Sequence, residues 1–156
     1  MTRATRASAL GLLLLLVDPG PGRAAHAGPP AQSSVITVEM VGFRSDRGRA
    51  LVGLFDSPKG FPDKGRSAVT WIAVQIRNRK AHTRFPGLPA GTYAIGVLHD
   101  EDGDHKMKTG LFGIPREGYG TSRDARGRFG PPRFDDARLS VGSGQTLHAQ
   151  IRIIYH

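Results

Sequence analysis

The 156-residue chain has no cysteine, which excludes a disulfide framework, a thiolate metal site and lipid attachment through an N-terminal Cys. Lysine and arginine number 22 against 13 acidic residues, a formal net charge of +9. The arginines are scattered rather than gathered in a tract, which fits a solvated basic surface or an anionic glycan or lipid partner and argues against nucleic acid.

Arg3 and Arg6 precede an apolar run from Ala9 to Val17, and Ala25-His26-Ala27 supplies a small-x-small cleavage pattern. That is the order of a secretory signal peptide. The run is about half of the roughly 20 residues a membrane-spanning helix needs, so cleavage near Ala27 is expected rather than a retained transmembrane segment. The product is then periplasmic or secreted, with about +7 of the charge on about 129 residues, enough for one domain. Residues 28–34 are Gly, Pro, Ala, Gln and Ser without apolar period and read as a disordered lead-in. A single domain is expected over 35–156.

The domain opens with an alternating stretch, Val35 to Val41, whose Ile36, Val38 and Met40 share one face. Turn residues Arg44-Ser45-Asp46-Arg47-Gly48 lead to a second apolar strand, Ala50 to Phe55, expected to form a hairpin with the first. A third strand, Val69 to Ile76, puts Ile72, Val74 and Ile76 on one face. Trp71 lies opposite with Ala73 and Gln75, as half-buried cover or as a sugar-stacking platform. His82 to Phe85 forms a short return strand, broken at Pro86-Gly87. Thr92 to His99 alternates again, with Tyr93, Ile95, Val97 and His99 together, as does the C-terminal set Leu147, Ala149, Ile151, Ile153 and Tyr155. Leu139 to Val141 is a short partner, and Gly142-Ser143-Gly144 reads as a hairpin turn. Short strands between Gly/Pro turns, without an amphipathic helix, predict an all-β fold: an antiparallel β-sandwich of about seven strands, transthyretin-like or immunoglobulin-like.

The long connection from Asp100 to Arg138 is the exception. Its length is functional or disordered in most proteins, and its Leu111, Phe112, Ile114, Tyr119, Phe129 and Phe134 are apolar groups that disordered tracts lack. An ordered, packed loop is expected.

Several blocks resemble an exported bacterial family known as domain of unknown function 2141. They are Gly42-Phe43-Arg44-Ser45-Asp46-Arg47-Gly48, Leu54-Phe55-Asp56-Ser57-Pro58-Lys59-Gly60-Phe61-Pro62, Leu88-Pro89-Ala90-Gly91-Thr92-Tyr93, His99-Asp100-Glu101-Asp102-Gly103-Asp104, Leu111 to Gly120, and Phe129 to Ala137. The resemblance spans nearly all of 35–155. It implies a sandwich similar to transthyretin-like and carboxypeptidase-regulatory-like domains, and no established activity. It also implies Gly and an acidic residue near His105 and Lys108, where this chain turns positive.

Asp100, Asp102 and Asp104 are spaced i, i+2, i+4 in a Gly-containing turn, a pattern that can aim oxygens at a hard cation such as Ca²⁺. An EF-hand count from Asp100 fails at His105 and Leu111. The alternative is a solvated turn in which the aspartates accept backbone N–H bonds and pair with Lys106 or Lys108. His99 is a candidate binding residue or general base, or else a buried, hydrogen-bonded histidine. Glu117 and Tyr119 can line a ligand groove, or Glu117 can hold its loop by accepting backbone N–H groups.

No Ser or Cys sits in a nucleophile-elbow context. A non-enzymatic binding or assembly module is therefore expected, with an unidentified envelope protein or glycan as partner and calcium as its candidate cofactor. A second reading is an envelope enzyme or enzyme accessory using His99, Asp100 and Glu117, which requires these side chains to converge within about 5 Å in a concave pocket. A third is an oligomerising module with unpaired edge strands.

Overall fold

The computed structural model describes residues 32–128 and 130–156. The expected signal peptide, residues 28–31 of the lead-in, and Phe129 lie outside it. Alternation of apolar and polar residues builds eight strands among the described residues: β1 (Ser34–Val41), β2 (Arg49–Phe55), β3 (Thr70–Gln75), β4 (Lys80–Leu88), β5 (Gly91–Asp100), β6 (Tyr119–Thr121), β7 (Leu139–Val141) and β8 (Thr146–Arg152). They form two sheets, one ordered β4-β1-β8 and one ordered β3-β2-β5-β6 with β7 also on β5. The fold is all-β and sandwich-like. No helix among the described residues is long and apolar enough to cross a membrane.

β1 buries Ser34, Ile36, Val38 and Met40 and leaves the alternate residues half-buried, as a strand with one core face must. The main core joins these to Val52 and Leu54 of β2, Phe85 of β4, Ile95 and Val97 of β5, and Ile151. β5 is central and buried on both faces. Its second face is covered by a smaller cluster of Phe55, Ala94, Phe134 and Ala137.

Five expectations need correction. β1 and β2 do not form a hairpin: β1 pairs with β4 and β8, while β2 pairs with β3 and β5, because residues 42–48 carry the chain across the sandwich. Pro86-Gly87 does not break β4, which continues to Leu88. β4 is an edge strand, where a missing N–H costs no ladder bond, and the register shifts at that end of its partner. Gly142 to Gly144 joins two sheets rather than a hairpin, since β7 pairs with β5 and β8 with β1. β8 runs parallel to β1, so the sheets are antiparallel-rich rather than wholly antiparallel. Finally, Ser34 is a fully buried strand residue whose Oγ donates to the Gly142 carbonyl at 2.6 Å, and the Gln32 carbonyl accepts from Gly144 N–H.

The long connection is packed onto the sheets only in its second part, through Phe134 and Ala137; Leu111 and Ile114, expected to pack, are exposed. It contains β6, whose Tyr-Gly-Thr shows no apolar-polar alternation, two 3-10 turns (Leu111–Gly113 and Ser122–Asp124) and a one-turn helix, α1 (Phe134–Ala137).

Candidate functional site

β5 ends in His99 and Asp100, and three connections converge there: residues 42–48, the turn after Asp100, and the segment returning through Glu117. The first must come close. Gly48 has φ +72°, and a Cβ there would lie 1.9 Å from the Asp100 carbonyl oxygen, so only glycine fits. Gly118 is equally confined, 2.4 Å from the Tyr155 ring by the same construction.

The turn is held by carboxylates accepting backbone N–H groups. Asp100 is 1% exposed; its Oδ1 accepts from Gly103 at 2.9 Å and its Oδ2 from His105 at 3.2 Å. Asp104 Oδ1 accepts from Lys106 N–H at 2.8 Å. Glu117, 3% exposed, reaches across to accept from Glu101 N–H at 3.0 Å and Lys108 N–H at 3.1 Å. Thus Asp100 fixes the turn from one side and Glu117 clamps both of its ends. Short side-chain acceptors bonded to nearby amides are the usual means of stabilising a non-repetitive backbone.

His99 is fully buried. Its Nε2 lies 2.8 Å from the Arg47 carbonyl and its Nδ1 2.7 Å from the Tyr155 hydroxyl. A carbonyl only accepts, so Nε2 carries a proton, and in the neutral ring Nδ1 accepts from Tyr155. The Tyr155 oxygen in turn accepts Arg44 N–H at 3.0 Å. Phe43 meets the imidazole edge-on at 5.1 Å, and the Arg44 guanidinium lies 4.7 Å from the Tyr155 ring centroid, a cation–π distance. Arg44 also forms a two-point ion pair with Glu101, Nε to Oε1 at 2.8 Å and Nη2 to Oε2.

These contacts set the ionisation. The hydrogen bond from Arg44 holds the Glu101 carboxyl below the usual glutamate range, and the same bond raises the Arg44 guanidinium. The hydrogen bond from the Lys108 ammonium lowers Asp102 and reciprocally raises Lys108. Burial pushes the Tyr155 phenol up.

Of the residues singled out in the sequence, Asp100, Asp102 and Glu117 come together, with one carboxylate oxygen from each within 4.8 Å of the others. Asp104 is exposed and outside that group, and buried His99 is outside it too. Tyr119 lies on β6 and stacks on His156 with centroids 5.7 Å apart, its hydroxyl 2.8 Å from Nε2. Trp71 packs edge-on against Phe55 at 6.1 Å. The sequence reading overlooked Arg44, Glu101 and Tyr155. Arg44 and Glu101 lie in the segments that carry the family resemblance, and Tyr155 continues the period of the last strand.

The family described as "Uncharacterized protein conserved in bacteria (DUF2141)" matches residues 38–149, from β1 through most of β8. The chain belongs to this family. The DUF2141 match contains the turn after β5 and Glu117, while Tyr155 lies beyond its end. No curated protein matches the chain. Among solved structures, it is similar to a mutant of a pilus-presented adhesin, Spy0125 (Cpa), at 12% identity and a TM-score of 0.22. That alignment covers 82% of this chain and 28% of the adhesin's, a likeness too slight to bear on fold or function.

Proposed function

We propose that this DUF2141 member is a non-enzymatic binding or assembly domain of the bacterial cell envelope, exported by its N-terminal segment and periplasmic or secreted after cleavage near Ala27. The observation that carries the reading is a contrast within one loop. Its base is fixed by buried carboxylates and a saturated histidine, while beyond that base Leu111 and Ile114 are 80% and 51% exposed. Exposed apolar side chains on a fixed backbone suit partner capture, because little ordering entropy remains to be lost on binding. The partner fits an envelope protein or a glycan.

Both ring nitrogens of His99 are engaged, and Asp100 and Glu117 are bonded to backbone amides. This supports a positioning role over the enzymatic alternative, since a base must reach its substrate's proton. A photo-crosslinking residue placed at Leu111 in the protein in its host should give a discrete adduct, weakened by Ile114→Asp and absent when the crosslinker is at exposed Arg138. Equal labelling at both positions would sink the reading.

A second reading, that calcium orders the loop, is favoured by the meeting of Asp100, Asp102 and Glu117. Each amide-bonded oxygen of Asp100 and Glu117 keeps a second lone pair, and three carboxylates suit a hard cation. Lys108 opposes it by pairing with Asp102. Thermal unfolding in EDTA and in millimolar Ca²⁺ decides: calcium at about 100 times its Kd adds about 2.7 kcal/mol, a rise of roughly 10 °C, larger in Lys108→Gln. An unchanged midpoint in both proteins means that the acids serve only the backbone.

A further inference from the structure

A two-sheet sandwich has two seams where sheet edges face each other, and here they are finished differently. On one side the chain stitches the sheets together: Tyr119 N–H donates to the Ile154 carbonyl at 3.0 Å, Ile154 N–H returns the bond at 2.9 Å, and Arg152 N–H donates to Asp124 at 2.9 Å. On the other side, among the described residues, the β3 and β4 backbones are joined only at their turn, where Arg77 and Lys80 exchange backbone bonds of 2.8 and 3.0 Å. Asn78 and Arg79 adopt positive φ there, with their amides held by the Asp46 carboxylate. Beyond that turn the two strands enter different sheets. The cleft between them is lined by Val69, Ile72, Phe85, Leu88 and Tyr93, with one exposed charge of each sign, Arg84 and Asp56, at its sides.

The two strands bordering this cleft are unequally protected. Edge strands are normally blunted by charge or proline, because an unpaired row of N–H and C=O groups templates another strand. β4 carries Lys80, His82, Arg84 and Pro86. β3 reads Thr-Trp-Ile-Ala-Val-Gln, with neither a charge nor a proline, and Val69, just before it, is 51% exposed. Exposed charges stand at its ends instead, with cations in excess: Asp63, Lys64 and Arg66 before it, Arg77 and Arg79 after it. A second copy pairing antiparallel through β3 would set these cations against each other. A strand with acidic ends would neutralise them.

We propose that the free edge of β3 is a docking site for an extended peptide segment with alternating apolar side chains between acidic ends, which adds as a further strand and lays its apolar side chains into the cleft. Backbone bonds supply affinity in this mode, and pockets for alternate side chains supply selectivity. The Arg and Lys flanks select charge and register. The site is separate from the loop tip that carries the proposed function.

The test is fluorescence anisotropy of a labelled synthetic peptide, alternating threonine and valine over six positions with two glutamates at each end, titrated with the purified protein. Saturable binding is expected, together with slower amide exchange over residues 69–75. A peptide ending in lysines should bind at least tenfold more weakly, and so should the variants Val69→Glu and Arg66→Glu/Arg77→Glu, all of which change exposed side chains and keep the wild-type circular dichroism. Equal binding of both peptides, protection of β4 instead of β3, or undiminished binding by Val69→Glu would overturn the proposal. So would a concentration-dependent dimer that the peptide cannot dissociate, which would assign the edge to a second copy.

Discussion

The two halves of the connection between β5 and β7 are ordered by different physics. From Asp100 to Gly118 the chain is tied by carboxylates to backbone amides, and its side chains are mostly exposed. From Tyr119 to Arg138 it is tied by burial: Phe134 and Ala137 cover β5 with Phe55, and the Phe61 and Phe134 rings meet edge-on at 5.8 Å. Backbone pairing of β6 with β5 and of Tyr119 with Ile154 adds polar ties, as do the two bonds of buried Ser122, which accepts Ile95 N–H at 3.0 Å and donates to the Ala137 carbonyl. The difference teaches that a long loop can be fixed without a hydrophobic core of its own, provided that each buried acceptor meets a donor. Such a half leaves apolar side chains over for contact with something else.

Three substitutions break or sharpen this contrast. The largest effect belongs to the apolar half: Phe134→Ala opens a cavity against β5 and should cost about 3–5 kcal/mol in urea unfolding, with the whole domain losing stability together. Glu117→Ala orphans two amides and should cost about 2–4 kcal/mol, accompanied by fast exchange of Glu101 and Lys108 N–H while β5 stays protected. If that exchange is unchanged, the clamp is not what orders the polar half.

The smallest effect is a pH dependence. The Glu101 carboxyl is held low by Arg44, so its contribution is present above the unfolded value of about 4.3 and is lost as pH falls through the lower folded value. Arg44→Gln should flatten this acid limb while changing neutral-pH stability less than Glu117→Ala does. An acid limb of unaltered slope would move the sensitivity to another carboxylate.

The strands were legible where one face alone is buried, as in Ile36, Val38 and Met40, because a period of two is written directly in the residues. Pairing was not. Whether β1 meets β2 or β8 depends on where residues 42–48 carry the chain, and alternation is blind to that. β6 escaped notice because Tyr119-Gly120-Thr121 has no apolar-polar alternation, whereas the equally short Leu139-Ser140-Val141 has one. At the site, the acidic residues were conspicuous by type and spacing, yet spacing favoured Asp104 as the companion of Asp100 and Asp102, whereas folding brings Glu117 from 15 residues beyond Asp102. The reading of Glu117 as a loop-holding acceptor needed only the donors, Glu101 and Lys108 N–H, to be identified.

The parallel pairing of β1 with β8 makes the first strand of the domain wait for the last. Thr37 meets His148 and Val41 meets Arg152 in that ladder, so the smaller sheet is incomplete until residues more than 100 positions apart have met. Until β8 is in place, β1 has β4 on one side and an open row of N–H and C=O groups on the other.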